Sequence, residues 1–322
     1  MTRVLIIKPS SLGDIIHGLQ AVECFKSANA DWHITWVVRE IFAPLVHACE
    51  TVDQTLVFQR KKGLRGLFAM VKTLSKMQFD LVIDLQGLLR SGLMTWSTHA
   101  PRKLGRADAR EGATLFYNEK TPASDPNPKH ALDVLLAFAP LLNAPAHPLP
   151  PIRFKPSPLP QNVAHFLESA PFPSKTGPVL IFPDSRRAEK KWPFFEDLTR
   201  LWLQQNPSIK IIWSGSEPAS PTLPPELSGR FLNLCAKTPL ESLPQLIEKA
   251  GLVIANDSGP MHLAAAMGKP TLAIFGPTDP ALYGPFPPSR PTNHVVRAPN
   301  GILANLPPKE VLLRATRLLA PE

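Results

Sequence analysis

The stretch at residues 251–280, GLVIANDSGPMHLAAAMGKPTLAIFGPTDP, constrains the fold more than any other part of the chain. It reads as a strand, a tight turn, a helix and a second strand. Residues 252–255 are a short apolar β-prone run, and Asn256-Asp257-Ser258-Gly259 supplies turn and N-cap chemistry. Pro260 suits the first helical position, where its missing N–H would lack a partner anyway. The backbone N–H groups of Ser258, Gly259 and Met261, together with the positive end of the helix dipole, favour an anion at the carboxyl end of the strand. Gly259 lets a phosphate approach the backbone closely. A strand-to-helix turn in any α/β protein needs similar residues, so the segment alone leaves a purely structural role open, with Asp257 as a cap and His262 as a packing residue.

With 322 residues the chain has room for two domains, each with its own core. The net charge of +9 points to an anionic partner, and on charge alone nucleic acid, an acidic membrane surface and a phosphorylated substrate all remain open. Cys24, Cys49 and Cys235 are too few and too widely spaced for a disulfide framework or a zinc site, which fits a reducing cytoplasm. No run has the length of a membrane span, and the N-terminus lacks a signal-peptide core. A role on a lipid would then be that of a soluble or peripheral enzyme on the cytoplasmic side.

Residues 4–7 read as a buried strand, continued by KPSSLGDIIHGLQAVECF into a turn and a helix from about Asp14. The loop has only Gly13 and therefore no dinucleotide fingerprint, and the chain has no P-loop. Further strands are expected at residues 33–38, 54–58 and 80–85. Arg60-Lys61-Lys62 opens a basic loop before a helix at about 66–77, and Arg90 is expected one turn into the helix after Asp84. The proline-dense segment 143–160 separates two halves, about 1–150 and 151–322. In the second half strands are expected at 179–182 and 210–213, with 214–217 as the turn after the latter. Glu217, after such a strand, is placed to accept both hydroxyls of a ribose. The terminal helix at about 308–319 has an apolar spacing that suggests packing across the lobes.

DSGPMH with PTLAIFGPTDP resembles the donor-binding signature of glycosyltransferase family nine, the lipopolysaccharide heptosyltransferases, and further matches run along nearly the whole chain. From position alone Asp14 reads as a helix cap; PSSLGD, however, resembles the family's N-terminal motif, in which the aspartate, here Asp14, is the general base. The resemblance places Ser11 and Gly13 of this motif on the donor side. It implies a GT-B fold, two Rossmann-like lobes facing each other across a cleft, with an acceptor-binding N-terminal domain and a nucleotide-sugar-binding C-terminal one. DLQGLLRSG, AREGATLFYNEK and KHALDVLL match acceptor-side segments, and with the basic loop they carry over Arg60, Lys62, Arg90, Arg110 and His130 as acceptor-binding residues. PDSRRAEKKWPFF resembles the second family motif and carries over Ser185, Arg186 and Lys190, although Arg186 stands where many relatives have Thr and Pro183-Asp184 replace a small residue. Glu217 resembles the ribose-binding residue, and NLCAKTPL resembles the adenine-side segment with Thr238 matched. Asp257, Ser258, Gly259, Met261 and His262 complete the donor set.

The implied reaction is inverting transfer of L-glycero-D-manno-heptose from ADP-heptose to a Kdo hydroxyl of the inner core, as in heptosyltransferase I. Asp14 would act as base, with Lys190 stabilising the leaving ADP. No obligatory metal or cofactor is expected, since the chain has no Asp-x-Asp motif. The partners implied are ADP-heptose, a Kdo-bearing lipid A acceptor and an anionic membrane surface on the cytoplasmic face. Rival readings are another transferase of the family with a different acceptor, as in heptosyltransferase II or III, a sugar-nucleotide epimerase of the same fold, and a non-catalytic binder of acidic lipid or nucleic acid.

Overall fold

The computed structural model describes residues 1–122, 129–169 and 177–319, and the chain divides into two compact units, Met1–Lys155 and Pro156–Glu322. In the first, strands and helices alternate as β1 (Thr2–Ile7), α1 (Leu12–Ala28), β2 (Trp32–Arg39), α2 (Ala43–Ala48), β3 (Gln54–Phe58), α3 (Gly63–Leu74), β4 (Leu81–Asp84), α4 (Leu89–Trp96), β5 (Arg102–Gly105), β6 (Glu119–Lys120) and α5 (Ala131–Leu136). Every pairing is parallel, in the order β3-β2-β1-β4-β5-β6. The second unit runs α6 (Gln161–Glu168), β7 (Val179–Phe182), α7 (Phe195–Gln205), β8 (Ile211–Gly215), β9 (Phe231–Cys235), α8 (Leu243–Lys249), β10 (Leu252–Asn256), α9 (Gly259–Ala266), β11 (Thr271–Phe275), α10 (Pro280–Tyr283), β12 (Asn293–Arg297) and α11 (Pro308–Leu319). Its parallel sheet has the order β12-β11-β10-β7-β8-β9.

Each order is that of the doubly wound nucleotide-binding fold. The order in which strands are laid down reverses between β1 and β4 in the first unit and between β7 and β10 in the second, and ligands of such sheets settle outside the carboxyl ends at that switch point. The sequence explains the layering. Parallel strands covered by helices on both faces need unbroken apolar runs, and VLII, LVI, VLIF and TLAIF are buried along their whole length.

Several boundaries differ from those read in the sequence. Helix α1 starts at Leu12 because Ser11 is the N-cap, which puts Asp14 at the third helical position. Arg60–Lys62 form a 3-10 turn instead of an open loop, and α3 follows directly. The Glu40 carboxylate accepts the backbone N–H groups of Arg60 and Lys61 at 3.2 and 3.4 Å, and so satisfies donors that a helix start leaves over. Ser214 and Gly215 belong to β8 and pair with Leu234 and Cys235, so the turn starts only at Ser216. Helix α11 sets Val311, Leu312 and Ala315 into the second unit's own core, which accounts for its apolar spacing.

At the end of β4, Asp84 is fully buried. It accepts the N–H groups of Gln86 and Gly87 at 2.8 and 3.1 Å and the Tyr117 hydroxyl at 2.7 Å. Burial pushes its carboxyl above the usual aspartate range, against the pull of these donors. Gly105 is required beside it, since a Cβ there would lie 2.0 Å from the Tyr117 ring. Tyr117→Phe is expected to destabilise the fold by about 1–3 kcal/mol through loss of a donor to a buried carboxylate. Thermal unfolding checks this, and an unchanged midpoint would show that the bond contributes nothing.

Candidate active site

In the first unit the switch point lies between the ends of β1 and β4. Ser11 donates to Asp14 Oδ2 twice, from its backbone N at 2.9 Å and its hydroxyl at 2.6 Å. This reciprocal cap fixes the orientation of a carboxylate that is only partly buried. Its cap role and its availability to a ligand thus coexist. Lys8, which in the sequence merely interrupts the first strand, is buried beside it. Burial lowers the Lys8 pKa below the ordinary lysine value and Arg106 pushes the same way, while Asp14 and Asp84 pull it back up. Lys8 therefore lies within electrostatic reach of both Asp14 and Asp84, a feature the sequence reading missed because Lys8 and Asp84 come together only through the register Ile7 with Asp84.

Four of the five carried-over acceptor residues, Arg60, Lys62, Arg90 and Arg110, follow the carboxyl ends of strands of this sheet. Arg110 and Arg90 are exposed, and their segments meet at the turn after β4, where Arg110 N donates to Gly87 O at 2.9 Å and Glu111 accepts from Leu89 N at 3.1 Å. Arg90 is the second residue of α4, earlier than one full turn into the helix. Arg60 and Lys62, also exposed, follow the outermost strand β3, three strand spacings or about 14 Å from β4. The structure therefore separates this basic pair from Arg90 and Arg110. His130 caps α5, its Nδ1 accepting from Leu132 N at 3.1 Å, and it lies edge-on to His17 of α1 at 5.2 Å between ring centroids. Gly13 is in the first turn of α1, directly before Asp14.

In the second unit the loop after β7 and the turn after β10 meet at the switch point. Asn256 ties them together: its Oδ1 accepts from Trp192 N at 3.0 Å, and its Nδ2 donates to the carbonyls of Pro183 and Asp184 at 3.2 and 3.3 Å. This link brings Lys190 Nζ to 2.5 Å from Asp257 Oδ2, with both side chains largely buried. The Thr278 hydroxyl donates to the same oxygen at 2.7 Å, and the Tyr283 ring centroid lies 5.6 Å from Lys190 Nζ. Asp257 is therefore an ion-pair partner, and Ser258 is the N-cap of α9. The Ser258 Oγ is buried at the helix N-terminus without a hydrogen-bond partner among the described residues. Met261 and His262 are buried on α9, and Gly259 is its first residue. Thr278 was present in the quoted GPTDP motif, but only the fold shows what it holds.

Ser185 and Arg186 follow β7, Arg186 exposed and Ser185 partly buried. Asp184, which reads in the sequence as a departure from the family motif, has a definite task. Its Oδ2 accepts the N–H of Ser216 at 2.7 Å, the Ser216 hydroxyl at 2.8 Å and the N–H of Glu217 at 3.2 Å. Its carboxyl fits only because Gly215 has no Cβ, which would stand 2.9 Å from Asp184 Cγ. Glu217 lines a cavity of 420 Å³ together with Asp184, Trp192 and Trp213. Thr238 accepts the Ser214 hydroxyl at 3.0 Å and lines a separate cavity of 120 Å³ with Lys237 and Leu246, so the two carried-over nucleoside residues do not share one cavity. Among the described residues no group of three or more His, Cys, Asp or Glu is placed to hold a metal ion. Asp184→Ala is expected to release the Glu217 loop and raise the donor KM by roughly tenfold, the effect of losing one charge-assisted anchor, with kcat changed much less. Steady-state kinetics decide this, and an unaltered KM would leave Asp184 without that role.

Two doubly wound units, with the carried-over side chains at their strand ends, are the architecture of the GT-B fold class. Residues 67–304 match the profile of glycosyltransferase family 9 (heptosyltransferase), and the chain belongs to that family. It is 28% identical to lipopolysaccharide heptosyltransferase 1 of Escherichia coli K12, over 98% of this chain and 100% of the relative. It is 29% identical to the lipopolysaccharide core heptosyltransferase OpsX of Haemophilus influenzae, over 87% of this chain and 81% of that one. The solved structure of E. coli heptosyltransferase WaaC with ADP superposes with a TM-score of 0.74 at 28% identity, covering 98% of this chain and all of that one.

Proposed function

We propose that this protein transfers L-glycero-D-manno-heptose from ADP-heptose to a Kdo hydroxyl of the lipopolysaccharide inner core, with inversion at the anomeric carbon. The reading is supported by relatives named as lipopolysaccharide heptosyltransferase 1 and by WaaC structures solved with ADP and with ADP-2-deoxy-2-fluoro heptose. One observation carries it for this chain. A nearly buried Lys190–Asp257 pair stands at the second unit's switch point, beside a helix N-terminus whose Ser258 hydroxyl has no partner among the described residues.

A diphosphate arriving there would meet the α9 N–H groups and the Lys190 ammonium. As the glycosidic bond to phosphate breaks, negative charge gathers on the leaving ADP, and fixed donors stabilise it without reorganising. A sugar hydroxyl is almost never ionised at neutral pH, so a base takes its proton as the new bond forms. Asp14 is that base, its carboxylate aimed by the two Ser11 hydrogen bonds. Lysine and helix dipole together offset the diphosphate charge, and no metal takes part. Arg60, Lys62, Arg90 and Arg110 provide cations for an acidic acceptor, with the enzyme acting as a peripheral protein on the cytoplasmic side of the membrane.

The test is incubation with ADP-heptose and a Kdo-bearing lipid A, following release of ADP. Acceptor-dependent release supports the proposal. Release that ignores the acceptor, or none at all, would overturn it.

A further inference from the structure

Between Asp53 and Asp80 the chain has no carboxylate but six basic residues, Arg60, Lys61, Lys62, Arg65, Lys72 and Lys76. Among the described residues none of the six forms an ion pair, and the nearby Glu40 and Glu111 accept backbone N–H groups at helix starts. Helix α3 spends one face on the core through Leu67, Met70 and Leu74. Its other face exposes Leu64 and Phe68, each 68% exposed and one turn apart, beside Arg65 and Lys72. Helix α4 packs against α3 and ends in Trp96, which is 63% exposed. Single exposed apolar residues are ordinary, but a pair on one helix face beside an unneutralised basic stripe, with a third on the helix packed against it, marks an interaction surface.

We propose that this face of the first unit docks on an anionic lipid bilayer, with Leu64, Phe68 and Trp96 entering the headgroup region and the basic stripe lying against lipid phosphates. The inference rests on the reading above that the acceptor is lipid-borne, and it names the surface that brings the enzyme to it. The apolar side chains project singly from helices instead of lining a groove, which suits shallow insertion into a fluid interface. A second copy of the chain would set one basic stripe against another and be repelled. An anionic membrane supplies both the apolar depth and the opposite charge.

Sedimentation with vesicles lacking any acceptor separates this claim from the catalytic one. The wild-type protein is expected to bind phosphatidylcholine vesicles containing phosphatidylglycerol, to bind pure phosphatidylcholine weakly, and to dissociate as salt rises. The double variant Leu64→Ser/Phe68→Ser is expected to bind the anionic vesicles at least about tenfold more weakly, the transfer term of two partly inserted side chains. Trp96→Ala should act in the same direction, and all these variants should keep the ADP-release rate on a water-soluble Kdo acceptor. Unchanged vesicle binding by the double variant, equal binding to both vesicle types, or a dimer in light scattering that the double variant dissolves would each overturn the proposal. Loss of the water-soluble activity in the wild type would instead fault the catalytic reading.

Discussion

Asp14→Ala is expected to lower the turnover of heptose transfer by about 10²–10⁴-fold, the range over which a positioned general base contributes, while ADP binds almost as before. The carboxylate sits in the first unit, and the residues carried over for the nucleotide's phosphates sit mainly in the second. The substitution also removes the acceptor of two Ser11 hydrogen bonds, so a control must separate lost capping from lost chemistry. Asp14→Asn supplies one, since an amide oxygen still accepts from Ser11 but takes no proton. Both variants should fail alike if Asp14 is the base. Normal turnover by either removes it from the mechanism, and calorimetric titration with ADP checks that the donor site is intact.

Lys190→Ala is expected to have the second-largest effect, and its signature differs. It leaves the Asp257 carboxylate, with a side chain only 7% exposed, facing the place where a diphosphate would sit. Breaking a buried pair by removing one partner costs about 3–5 kcal/mol, an upper range here because Thr278 still donates to the same oxygen. The unfolding temperature should therefore fall, ADP affinity should drop by roughly tenfold or more as cation gives way to unopposed anion, and kcat should fall with it. Adding Asp257→Asn removes the stranded charge and should restore most of the stability but little of the turnover. Recovery of turnover in that double variant would mean that Lys190 only neutralises Asp257 and has no part in stabilising the leaving group.

What the sequence made legible, and what it did not, follows from locality. Central parallel strands are covered on both faces, so VLII, VLIF and TLAIF announce themselves as unbroken apolar runs. The edge strands β6 and β12 do not: Glu119–Lys120 has only two residues, and Asn293–Arg297 is half exposed and follows a proline-rich stretch. Helix starts were readable to within a few residues, because Ser11 and Ser258 carry capping chemistry in the chain itself. Asp257 was not readable, since its cap-like position hides a partner 67 residues away. Lys8 looks like the end of a strand, and only the neighbouring β4 gives it Asp84 for company. Asp184 reads as a departure from a family pattern, yet it is the anchor of the loop bearing Glu217. Pairings across sheet order leave no periodic trace, and the site is made mostly of such pairings.

The most direct test of the account is a crystal structure of the enzyme with ADP-2-deoxy-2-fluoro heptose and a Kdo-containing acceptor fragment. The account predicts the diphosphate on the N–H groups at the start of α9 and on Lys190, with the Asp14 carboxylate within hydrogen-bonding reach of the acceptor hydroxyl aimed at the anomeric carbon. A diphosphate held elsewhere, or an acceptor hydroxyl facing some other base, would contradict it.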